Sequence, residues 1–64
     1  MATIETLKNK IRSYSTDMIL SCVQQIGGGH VDHDQRMVRA CLLDIYQERE
    51  GEEMVEMLLE LIGM

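Results

Sequence analysis

Glu53-Met54-Val55-Glu56-Met57-Leu58-Leu59-Glu60-Leu61-Ile62 is the stretch whose reading decides the fold. Wound as an α-helix, at about 100° per residue, it puts Glu53, Glu56 and Glu60 on one narrow strip. Met54, Val55, Met57, Leu58, Leu59, Leu61 and Ile62 take the remaining circumference, roughly two-thirds of it. A surface helix carries a narrower apolar stripe, about 100° or somewhat more. One packing surface cannot cover this segment, which therefore calls for neighbours on several sides. It is too short to cross a bilayer, for which about 20 apolar residues are needed.

Working upstream, Arg49-Glu50-Gly51-Glu52 separates this helix from another. The preceding helix is expected over about His33 to Glu50, with Asp32 as its N-cap and Gln35 as the capping-box partner. Its apolar face is Met37, Val38, Cys41, Leu42, Ile45 and Tyr46, close to half the wheel, while Arg36, Arg39, Asp44 and Gln47 face away. Gly27-Gly28-Gly29 stops the segment before it, since glycine just past a helix end readily takes the left-handed conformation. Residues 3–26 read as one long helix capped at Thr3, possessing a narrow seam of Ile4, Leu7, Ile11, Tyr14 and Met18 at coiled-coil spacing. Beyond Met18 the apolar set widens to Ile19, Leu20, Cys22, Val23 and Ile26, which places the second half centrally in the core. The alternative is a break near Ser13–Thr16, where Ser15 and Thr16 before Asp17 could cap a new helix.

Composition agrees with an all-α chain. There is no proline, phenylalanine or tryptophan, so the core must be built from Leu, Ile, Val and six Met. Cys22 and Cys41 lie within apolar helical patterns and read as small core residues of a reducing compartment. No apolar run follows a basic start and no stretch reaches transmembrane length, so a cytoplasmic location is expected, with no membrane association. The net charge of -5 is uneven: residues 1–43 carry four acids and five bases, residues 44–64 seven acids and one base. The acidic part repels nucleic acid and favours basic or apolar partners.

The expectation is therefore a single domain, residues 1–64, of three helices, one long and two shorter, packed as a homodimeric helical bundle. Three such helices cannot surround one another, and a two-fold pair covers the surplus apolar surface with one self-complementary patch. The dimer interface is expected to use Leu7, Ile11, Tyr14 and Met18 with Met54, Val55, Met57, Leu58, Leu61 and Ile62. Tyr46, Arg49, Glu50, Glu52 and Glu53, around the acidic turn, are candidates for binding a second, different partner, with charge steering the encounter.

Chemistry is sparse. His30, Asp32, His33 and Asp34 form the densest set of potential metal ligands, but a structural zinc site gathers separated ligand pairs and no second pair follows. No metal and no cofactor is expected, and the cluster reads as a polar loop with an Asp cap. The three glycines lack the spacing and the Lys-Ser/Thr ending of a phosphate loop. Ser13, Ser15 and Ser21 have no histidine nearby in sequence, so no nucleophile–base pair is legible and the chain reads as non-enzymatic. The competing class is a nucleic-acid-binding transcriptional regulator using Lys8, Lys10, Arg12, Arg36 and Arg39. Against it, the last helix would be the reading helix of a helix-turn-helix, and its polar strip is entirely glutamate.

The run Arg36 to Ile62, RMVRACLLDIYQEREGEEMVEMLLELI, resembles short accessory proteins of bacteriophages and prophages, in being brief, acidic, helical and Met-rich, with Tyr46 and Arg49-Glu50-Gly51 at a helix end. That resemblance implies a small protein that acts on host machinery by binding, as inhibitor or adaptor, and it transfers no site residue.

Overall fold

The computed structural model describes residues 3–63, and the side chains of residues 4–63. Within them the chain forms four helices: α1 Thr3–Arg12, α2 Thr16–Ile26, α3 His33–Glu50 and α4 Glu52–Leu61. The expected single long helix is thus two, and the expected three-helix count is corrected to four. The reason is local chemistry at Ser13–Ser15. The Ser13 hydroxyl donates to the Lys10 carbonyl at 2.6 Å, turning the end of α1 back on itself. Ser15 then adopts an extended conformation, and its side chain accepts from the Met18 N–H at 3.1 Å, as an N-cap does. Thr3, expected as the cap of α1, is already helical, and its side chain lies outside the described residues.

The remaining boundaries follow the sequence reading. Asp32 is extended and its carboxylate accepts from the Gln35 N–H at 2.8 Å, capping α3. Gly51 has a φ of 95° and donates its N–H to the Gln47 carbonyl, ending α3, and α4 starts at the very next residue. A side chain would be strained at that φ, which is why a glycine makes this one-residue joint.

α3 is the centre. α1, α2 and α4 each pack against it. The buried core is Ile11 from α1, Ile19 and Val23 from α2, Cys41, Leu42, Ile45 and Tyr46 from α3, and Leu58 from α4. Leu7, Tyr14, Leu20, Cys22, Ile26, Val38, Leu43, Val55 and Ile62 pack around it, partly buried. Both cysteines are free, Cys41 buried and Cys22 half-buried. Lys8 pairs with Asp44 and Arg12 with Glu48, so α1 runs parallel to α3. Among the described residues no helix is long and apolar enough to cross a membrane.

Breaking the first segment in two has a testable consequence. Were residues 3–26 one continuous helix, Ser15→Ala would stabilise it through alanine's higher helix propensity. With Ser15 as a cap, the same change should cost about 1 kcal/mol, within the usual range for cap removal, read as a lowered denaturation midpoint.

Candidate functional site

α3 does more than bury carbon. Two of its arginines, ten positions apart in sequence, hold the two ends of α2. Arg39 is only 7% exposed. Its Nη1 donates to the carbonyl oxygens of Gly27 at 2.7 Å and Gly29 at 3.3 Å, just past the C-terminus of α2. Both carbonyls lie just beyond the helix end, where the negative end of the α2 dipole also favours a cation. Arg49 donates from Nη2 to the Arg12 carbonyl at 2.8 Å, the last residue of α1, while its Nη1 lies 3.5 Å from the Thr16 hydroxyl at the start of α2. The two clamps set α2 antiparallel to α3.

These contacts revise the sequence reading of both residues. Arg39, expected to face away, sits about 20° from Tyr46 on the helical wheel, at the margin of the buried face. Arg49, expected at a partner-binding turn, continues the Leu42–Ile45 stripe by a step of four and so reaches the α1–α2 junction. Tyr46, also expected to meet a partner, is 4% exposed and belongs to the core. Glu50, Glu52 and Glu53 are exposed around the Gly51 joint.

The basic residues do not form one surface. Lys8 Nζ lies 3.1 Å from Asp44 Oδ2, and Arg12 Nη2 lies 3.6 Å from Glu48 Oε2. Arg39 is consumed within the fold, while Lys10 and Arg36 remain exposed on separate helices. The hydrogen bond from Lys8 to Asp44, and then the attraction of its charge, raise the lysine pKa above its ordinary value. His30, Asp32, His33 and Asp34 do not converge: among the described residues no three His, Cys, Asp or Glu side chains gather to hold a metal ion.

The residues expected at a dimer interface divide into two sets. Ile11 and Leu58 are buried within this chain, and Leu7, Tyr14, Val55 and Ile62 pack against the same core. Met18, Met54, Met57 and Leu61 remain substantially exposed, Met57 by 63% and Leu61 by 69%. Three of the four line one feature. A groove of about 300 Å³ runs between α2 and α4, walled by Leu20 and Gln24 on one side and by Met54, Met57 and Leu61 on the other. Tyr46 and Leu58 complete its lining. Met18 lies about 160° from Leu20 around α2 and is not part of it.

The groove exists because α4 is apolar over more of its circumference than α3 can cover. α4 turns Leu58 into the core, with Val55, Leu59 and Ile62 half-buried beside it. The next strip around the helix, Met54–Met57–Leu61, stays largely exposed, facing Leu20 and Gln24 only across the groove. Leu20 was legible in the sequence only as a core residue; its role as the opposite wall depends on how α2 crosses α3.

No protein-family model matches the chain, and neither curated proteins nor solved structures yield a match.

Two predictions arise from these contacts. Arg39→Met keeps most of the stem volume but leaves the Gly27 and Gly29 carbonyls without their donor. It should cost about 1–3 kcal/mol in denaturant melts, and Arg36→Met, at an exposed neighbour, should cost less than about 0.5 kcal/mol. Because folding raises the Lys8 pKa, its contribution is complete below the unfolded lysine value, about 10.4, and fades as pH rises through the folded value. Lys8→Met should therefore flatten the alkaline fall in stability above about pH 10.

Proposed function

We propose that this chain is a non-enzymatic helical module that acts by binding another protein, as an inhibitor or adaptor, through the face that α4 presents beside α2. The observation that carries this reading is the exposure of Met57 and Leu61 next to a groove whose remaining lining is largely apolar. Solvent-facing methionine and leucine at adjoining positions forgo stabilisation that a partner would recover, up to about 1.5–3 kcal/mol for a side chain fully covered. Methionine suits such a surface because its unbranched, polarisable chain adapts to different shapes. On this reading the target belongs to host machinery, as the resemblance of residues 36–62 to phage accessory proteins implies.

Self-association through the same strip is the second reading, favoured by the same unpartnered residues. A two-fold pair would cover Met54, Met57 and Leu61 with their own counterparts.

Met57→Gln combined with Leu61→Gln tests both. Neither side chain is buried, so stability should stay within about 0.5 kcal/mol of the parent. A binding role predicts that a protein co-purified with the parent chain from its source cells is lost with the double variant. Sedimentation of the parent and the variant over a concentration series reads self-association separately. Equal capture of the same protein by parent and variant would refute the assignment to this face.

A further inference from the structure

The groove between α2 and α4, the binding face proposed above and the reading on which this inference rests, has a chemistry that selects its occupant. Met54, Met57 and Leu61 are spaced three and four apart, the a–d–a pattern by which one helix receives another. On that register Glu53 and Glu60 fall at the flanking g positions, where charge sets partner choice. On α2, Asp17 precedes Leu20 by three residues and Gln24 follows by four, so the exposed Asp17 shares a flank of α2 with the two wall residues without itself lining the groove. Together α2 and α4 carry five acids, Asp17, Glu52, Glu53, Glu56 and Glu60, and no Lys, Arg or His. The nearby bases of α3 are already engaged, Arg39 with the Gly27 and Gly29 carbonyls and Arg49 with the Arg12 carbonyl.

We propose that the groove receives an amphipathic helix of another protein whose apolar ridge is flanked by lysine or arginine. The apolar strip supplies affinity by removing Met57 and Leu61 from water, and the acidic flanks supply selection. A second copy of this chain fits the shape but not the charge. Set antiparallel on the same strip, two copies bring Glu53 and Glu60 against each other; set parallel, they face Leu58 and meet no base. Either way the acids flanking the strip stay uncompensated, whereas a basic helix answers them. α4 has ten residues and is about 15 Å long, so the complement is about three turns.

Four synthetic peptides of equal length test this against isotope-labelled protein by amide NMR. Three share one leucine ridge with Lys, Gln or Glu flanks; the fourth is a scrambled Lys peptide of identical composition. The Lys-flanked peptide should shift the amides of Leu20, Met57 and Leu61 and bind about tenfold tighter than the Gln-flanked one, as two surface ion pairs allow. The Glu-flanked peptide should not bind, and the Lys advantage should shrink at high salt. Glu53→Gln with Glu60→Gln should remove that advantage while leaving the Gln peptide's affinity unchanged.

Equal affinity for the Lys and Gln peptides at the groove would overturn the basic-partner inference and leave the apolar binding face standing. Equal affinity for the scrambled peptide would overturn it as mere charge attraction. Failure of every peptide to shift the groove amides, in a protein that sediments as a monomer, would overturn the inference and the binding face together. A peptide-free dimer whose contact is that groove would make the occupant a second copy, and so overturn the inference.

Discussion

Every short helix in this protein depends on burial against α3. Helices of ten or eleven residues are marginal in water, because nucleating the first turn costs more than the few hydrogen bonds return. α1, α2 and α4 are all of that length, and each leans on the same eighteen-residue helix. α3 meets the demand with Cys41, Leu42, Ile45 and Tyr46 spread over nearly half its circumference, so that it faces three neighbours at once. Ile11, Ile19, Val23 and Leu58 are the residues by which those neighbours dock.

Hydrophobic burial holds the helices but does not fix their ends. A break in a helix adds orphan carbonyls and N–H groups, and each needs a partner. The α1–α2 break is answered by Ser15 at the start of α2 and by Arg49, reaching from α3 to the Arg12 carbonyl. The glycine stop after α2 is answered by Arg39. The side chains of α3 therefore divide the labour: the apolar ones receive the neighbouring helices, and the two arginines donate to backbone carbonyls at the two ends of α2, whose boundaries Ser15 and Gly27 set. Among the described residues no buried side-chain polar atom lacks a hydrogen-bond partner.

α4 is where this economy runs short. It is joined to α3 by a single glycine and packs back against it beside Tyr46, with Leu58 as its one buried residue. Its apolar sector is wider than the flank it turns to the core. The excess strip, Met54–Met57–Leu61, meets Leu20 and Gln24 across a shallow groove, and the wheel of α4 puts Glu53 and Glu60 next to that strip. The surface that remains after folding is thus adjacent to the core rather than remote from it. An occupant of the groove would rest on Tyr46 and Leu58, both members of the buried core.

Local chemistry was decisive at the sequence level. Helical content, the Asp32 and Gly51 boundaries, the apolar face of α3 and the surplus hydrophobicity of residues 54–62 all follow from propensity, capping residues and a 3.6-residue period, each of which acts within a turn or two. The Ser15 cap was legible too, as the alternative to a continuous helix, because Ser15 and Thr16 ahead of Asp17 offer the backbone side-chain hydrogen bonds that compete with helix continuation. Only the tertiary structure decided that Arg39 is buried, that Arg49 reaches along the surface to the Arg12 carbonyl, that Ile11 joins the core, and that Leu20 becomes a groove wall. The wheel of a single helix records angle but not what stands opposite. A guanidinium at the margin of an apolar face goes to water unless a neighbouring helix ends beside it, and that depends on packing between segments far apart in the chain.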